Sequence, residues 1–140
     1  MSCIRVRIGT LFPGVALITG AASGIGRAVA ISFAKEGCKR IVLVDRNGGA
    51  LHETKELIRA VATAGTLESD IAVLVIIADI CEEIAVRGMI HKAVEHFGGL
   101  HYCVNAAGVL GDQRRSIDSD IASFDLINSV NYRGQLNLLS

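Results

Sequence analysis

The chain has 140 residues, 51% of them hydrophobic, with a mean hydropathy of +0.46. That suffices for one domain with a sizeable core and argues against disorder. Fourteen basic and fourteen acidic residues cancel, which leaves no electrostatic case for nucleic acid or an anionic membrane as partner.

In chain order, Val15–Ile18 is a short apolar run and reads as strand one. Gly24–Glu36 has helical spacing, with Gly37 as its C-terminal cap. Ile41–Val44 is continuous and β-branched, as in a strand buried on both faces. Asn47–Val61 is a helix with Leu51, Leu57, Ile58 and Val61 on one side. A polar loop, Gly65–Asp70, precedes a third buried strand, Ile71–Ala78. Cys81–Phe97 is helical, with Val86, Ile90, Ala93, Val94 and Phe97 along one stripe and Gly98-Gly99 as the stop. Tyr102–Val104 is strand four, in which Cys103 reads as a small core residue. After the polar loop Gly111–Ser119, apolar residues recur every three positions at Ile121, Phe124, Ile127 and Val130, which marks a fourth helix running towards Ser140.

Alternating strands and helices imply an α/β fold, a parallel sheet covered on both faces, with right-handed crossovers. Residues 1–140 read as one domain, without a repeat or a proline-rich linker. Cys3, Cys38, Cys81 and Cys103 are far apart and form no C-x-x-C pair. Reduced thiols in a cytoplasmic setting are therefore expected, rather than a disulfide framework or a zinc site. Neither a signal peptide nor a membrane span is expected, because Val15–Ile18 is too short and leads straight into a glycine turn. His91, Glu95 and His96 offer too few convergent ligands for a metal and read as a solvated helix face.

The chemistry begins at Thr19-Gly20-Ala21-Ala22-Ser23-Gly24-Ile25-Gly26. Strand, glycine turn and helix together set backbone N–H groups against a phosphate. Gly20 permits the tight turn, Gly24 lets the backbone approach a pyrophosphate, and Gly26 lets the helix pack against the sheet. Ser23 adds a hydroxyl. Asp45, at the end of strand two, is placed to accept hydrogen bonds from both adenosine ribose hydroxyls and to repel a 2′-phosphate. It favours NAD over NADP, and Arg46 beside it partly offsets its charge. The alternative for Asp45 is a helix cap or a surface carboxylate.

The glycine run resembles the T-G-x-x-x-G-x-G signature of the short-chain dehydrogenase/reductase family. Asn105-Ala106-Ala107-Gly108 resembles that family's N-N-A-G motif with Ala in second place, Asp79-Ile80 its Asp-hydrophobic pair, and Asn131 its helix-borne catalytic Asn. The resemblance spans Thr19 to Asn131 in the family's order. It implies a Rossmann-type doubly wound sheet of order 3-2-1-4, and a nicotinamide dinucleotide as partner, held by Thr19, Gly20, Ser23, Gly24, Ile25 and Gly26 with Asp45 and Arg46. It further implies that Asp79 and Ile80 meet the adenine, that Asn105, Ala106, Ala107 and Gly108 line the adenosine side, and that Asn131 belongs to the catalytic machinery. Asp79 as a cap for the helix near Cys81, Ala106–Gly108 as mere close packing, and Asn131 as an ordinary polar helix position stand as alternatives.

The family's general acid/base is a Tyr, with a Lys four residues later and a Ser that orients the substrate oxygen. Here Tyr132 is followed at that distance by Leu136 and Tyr102 by Ala106, and Lys35, Lys39, Lys55 and Lys92 all precede Asn131. The expectation is the NAD(H)-binding portion of an oxidoreductase acting on a small alcohol or carbonyl, truncated after the fourth strand and following helix and inactive alone. An apolar edge at strand four is expected to make it poorly stable or self-associating. The second reading is a non-catalytic nucleotide-binding or interaction module that pairs with a full-length relative.

Overall fold

Four parallel strands form one sheet in the order β3-β2-β1-β4 in the computed structural model, which describes residues 11–64, 71–111 and 113–139. Strand β1 (Val15–Thr19) lies between β2 (Arg40–Asp45) and β4 (Tyr102–Asn105), and β2 pairs in turn with β3 (Ala72–Ile77). All five β1 residues are buried, which explains a run with no polar alternation: a central strand covered on both faces wants apolar side chains at every position. The sequence placed these strands and the sheet order correctly, but the third strand is not buried as expected: at the edge of the described sheet, only Ile76 of β3 is buried, and Ile77 is 65% exposed. The polar loop expected at Gly65–Asp70 lies outside the described residues.

Side chains alternate between two cores. Ala16, Ile18, Ile41 and Leu43 point to the layer of α1 (Gly24–Lys35) and α2 (Gly48–Ala64), where Ala30, Ala34, Leu51 and Ile58 meet them. Val15, Leu17, Val42 and Val44 point the other way, to α3 (Glu83–Phe97) and the last helix, against Val86, Met89, Ala93 and Val130. Full burial of each such Leu, Ile or Val contributes about 1.5–3 kcal/mol. Leu57 and Val94 depart from the predicted stripes, being 44% and 41% exposed. They stand at the margins of their apolar faces, where spacing alone does not tell rim from core.

The last helix is more irregular than its spacing predicts. Helix α4 (Ile121–Asn128), N-capped by Asp120 accepting from the Ser123 N–H at 2.7 Å, runs into a π-helical turn, Ser129–Gly134, and then α5 (Gln135–Leu139). Its apolar stripe is half covered: Val130 is buried and Ile127 half-buried, while Ile121 and Phe124 are exposed. Cys103 is likewise exposed and is not a core residue. It lies in register with Leu17, but β4 is an edge strand among the described residues, and no described element covers its flank.

Candidate functional site

The glycine loop owes its shape to two conformations and one close approach. Gly20 and Gly24 have φ of +66° and +51°, in the left-handed region that costs glycine least. A Cβ on Gly20 would sit 2.6 Å from the Ala107 nitrogen, so its absence lets the loops after β1 and β4 touch. A Cβ on Gly26 would run into the carbonyl of Gly20, and this contact seats the start of α1 on the turn.

Hydrogen bonds turn the loop's carbonyls inward. The buried Thr54 hydroxyl donates to the Ala21 carbonyl at 2.8 Å and accepts from Arg27 Nε at 3.0 Å. Arg27 Nη2 donates to the Ala22 carbonyl at 2.6 Å and to Glu53 at 3.2 Å. The Ala22 N–H in turn donates to Asp45 Oδ2 at 3.2 Å, while the Asn47 N–H donates to Oδ1 at 3.1 Å. Asp45 is thus fixed by its neighbours and does not cap α2; Asn47 does that, accepting from the Ala50 N–H at 3.0 Å.

These elements open onto one cavity of about 470 Å³. Gly20, Ser23, Gly24 and Ile25 line one wall, Asp45, Arg46, Asp79 and Ile80 a second, and Ala106, Ala107 and Gly108 a third. Most of the residues singled out in the sequence therefore converge. Gly26 lies just behind this surface, against Gly20. Thr19 is also behind it: fully buried, its hydroxyl donates to the Val104 carbonyl at 3.5 Å and accepts from the Ala107 N–H at 3.3 Å. Asn105 faces an adjoining open hollow of about 490 Å³, together with Gly108, Val109, Leu110, Asn131 and Gln135. Asp79 does not cap α3, which starts at Glu83. Its Oδ1 accepts from the Cys81 N–H at 2.9 Å, and its Oδ2 lies 3.8 Å from Arg46 Nη1.

The last helix braces the loops after β3 and β4 with side-chain amides. Asn131 Nδ2 donates to the Val109 carbonyl and its Oδ1 accepts from the Val109 N–H, both at 2.8 Å. Gln135 donates to the Ala107 carbonyl at 2.7 Å and Asn137 to the Ile80 carbonyl at 2.9 Å. The sequence reading missed Gln135, Asn137, Arg27 and Thr54. For Gln135 a signal existed: it stands four residues after Asn131, on the same helix face. Among the described residues no group of three or more potential ligands is placed to hold a metal, and no helix is long and apolar enough to cross a membrane.

Residues 14–140 match the family model described as short chain dehydrogenase. Short-chain dehydrogenase anuF from Penicillium roqueforti is 33% identical over 127 residues, which are 90% of this chain and 45% of that protein. Levodione reductase from Leifsonia aquatica is 36% identical over 120 residues, 86% of this chain and 42% of that protein. A crystal structure of levodione reductase superimposes with a TM-score of 0.82 at 35% identity, covering 90% of this chain and 46% of that one. The 3-ketoacyl-(acyl-carrier-protein) reductase from Brucella melitensis, complexed with NADH, does so with a TM-score of 0.78 at 34% identity, covering 92% and 48%. The chain spans a little under half the length of these relatives.

Proposed function

The chain belongs to the short-chain dehydrogenase family, and from that membership we propose that its cavity holds NAD(H), within an oxidoreductase that moves a hydride between the nicotinamide and an alcohol or carbonyl. One observation carries the reading. The glycine loop, the start of α1 and Asp45 all face the same cavity. The first bond within α1 is Arg27 N–H to Ser23 O, so the N–H groups of Gly24, Ile25 and Gly26 have no partner inside the helix. No acidic side chain occupies the first turn, and open space lies where a Gly24 Cβ would be. A pyrophosphate suits that cradle by charge and by shape.

When bound, the nicotinamide supplies or accepts the hydride. The chain's own residues do the holding. Asp45, immobilised by two backbone N–H groups, keeps lone pairs for the ribose hydroxyls and sets a negative charge where NADP would bring a phosphate. NAD is accordingly the preferred cofactor. Asn131 spends both ends of its amide on Val109, and so acts through the loop after β4 as a positioning residue. No Tyr-x-x-x-Lys pair occurs in these 140 residues; turnover belongs to the complete oxidoreductase, and this chain binds without turning over. The free thiols of Cys38, Cys81 and Cys103 support a reducing, cytoplasmic setting.

Titration calorimetry of the 140-residue chain tests the reading. NAD binds, NADP binds more weakly, and added alcohol yields no NADH. Absence of heat with both nucleotides overturns it.

The edge of β4, unpaired among the described residues, with Ile121 and Phe124 77% and 65% exposed further along the chain, favours a second reading. In it the chain is an interaction module that pairs through this edge with a second copy or a longer relative. Sedimentation of the isolated chain as a monomer across a hundredfold concentration range, with cooperative thermal unfolding, would count against it.

A further inference from the structure

Three charged side chains line the cavity's second wall: Asp45, Arg46 and Asp79. Their arrangement is unequal. Asp45 has both oxygens on backbone N–H groups and stays where it is. Asp79 has Oδ1 on the Cys81 N–H and turns Oδ2 towards Arg46 Nη1, 3.8 Å away. Arg46 is the only cation among the lining residues, and the sequence puts it directly after Asp45. Left to itself, a guanidinium beside the ribose position would welcome a 2′-phosphate, since planar Arg matches phosphate well.

We propose that Asp79 sets the cofactor preference through Arg46: it draws the guanidinium towards its own Oδ2 and offsets its charge, so that Asp45 alone governs the approach to the 2′ position. This rests on the reading of the cavity as a nicotinamide-dinucleotide site. Asp79 is then a specificity-determining residue whose effect on 2′-phosphorylated ligands runs through Arg46. With its charge removed, Arg46 is released to pair with a 2′-phosphate. The Arg46 and Asp79 side chains are 62% and 37% exposed, so the effect is that of a solvated pair, about two- to fivefold in affinity.

The test measures dissociation constants for 5′-AMP and adenosine 2′,5′-bisphosphate, and for NAD and NADP, on the 140-residue chain. Asp79→Asn keeps the Oδ1 acceptor for the Cys81 N–H. It is expected to raise affinity for each 2′-phosphorylated ligand two- to fivefold relative to its partner. In an Arg46→Met background the same substitution is expected to leave that ratio unchanged. An equal gain in both backgrounds means that Asp79 repels the phosphate directly, and overturns the proposal; so does no gain in either. Arg46→Met alone gives a second, independent reading. It is expected to change NADP affinity by less than twofold, whereas a large loss would show that Arg46 already serves the phosphate in the unaltered chain. If the unaltered chain binds none of the four ligands, the nucleotide reading itself falls.

Discussion

Thr54→Val isolates what shapes the glycine loop. The substitution keeps the side chain's volume and branching and removes only a hydroxyl that is fully buried. That hydroxyl has one proton, and its shortest acceptor contact is the Ala21 carbonyl at 2.8 Å, against 3.2 Å to the Ala50 carbonyl of its own helix. Removal leaves the Ala21 carbonyl without this donor and Arg27 Nε without its acceptor. Arg27 keeps its contacts to Ala22 and Glu53, so the loss falls in the lower half of the range for a buried group left unpaired, about 1–2 kcal/mol. At about 3 °C per kcal/mol for a chain of this size, Tm falls by about 3–6 °C. Thr54→Ser loses a methyl and about 1 kcal/mol, but it retains the bond to Ala21.

The two variants therefore separate on binding more than on stability. If about 1 kcal/mol of loop order is lost from the complex, NAD affinity falls about fivefold in Thr54→Val and holds near the original value in Thr54→Ser. Differential scanning fluorimetry gives the first quantity and calorimetry the second. Equal weakening by Val and Ser, or full affinity in the Val variant, would refute the claim that this hydroxyl orients the loop.

Asp45→Ala removes a carboxylate proposed to accept charged hydrogen bonds; NAD affinity drops about tenfold or more while NADP loses less, and unchanged selectivity in paired titrations would take Asp45 out of that role. Gln135→Leu strips the Ala107 carbonyl of its donor, so cleavage by a broad-specificity protease within residues 106–111 speeds up relative to the unaltered chain, and an unchanged cleavage rate would deny Gln135 its bracing role. Burial pushes the Cys38 thiol up from its ordinary range. The unfolded thiol then ionises first, so this contribution to stability is flat at neutral pH and is lost as pH climbs above about 8.5. Cys38→Ala is expected to flatten the alkaline fall in Tm, and an identical slope in both proteins would count against the assignment.

Much of the fold was legible because its two central strands, β1 and β2, are buried on both faces. Runs such as Ile41–Val44 have no other reading once they alternate with helical spacing. The cavity's outline was legible for a related reason: glycines whose φ must be positive, and a carboxylate at a strand's end, are choices made by backbone geometry. What escaped depended on what covers what. Cys103 sits in an apolar strand and faces the same way as Leu17, yet it is exposed, because burial at an edge is decided by neighbours far away in sequence. Thr19 opens the glycine signature but faces into the protein. Thr54 and Arg27 look in the sequence like any polar helix residues, and Gln135 is marked only by its spacing from Asn131. Their roles arise only when α1, α2 and the last helix meet the loops.

The position of the cavity follows from the order of the strands. From β1 the chain steps outward through β2 to β3, then returns to the other side of β1 for β4. The loops after β1 and β4 thus leave the sheet on opposite sides of one line, the switch point at which α/β sheets open a crevice. Left alone, such a crevice would have no fixed width. Adjacent residues set it here. Thr19 ties its lips by bonding the Val104 carbonyl and the Ala107 N–H, and Gly20 lets the backbones approach until a Cβ would collide with Ala106 and Ala107. The amides of Asn131 and Gln135 then hold the far lip from behind, at Val109 and Ala107. Width is therefore set largely from behind the cavity surface, while the selectivity proposed above lies with the charged wall of Asp45, Arg46 and Asp79. The two can change independently, which is why substitutions at the brace are expected to scale affinity for NAD and NADP together and substitutions of Asp45 or Asp79 to change their ratio.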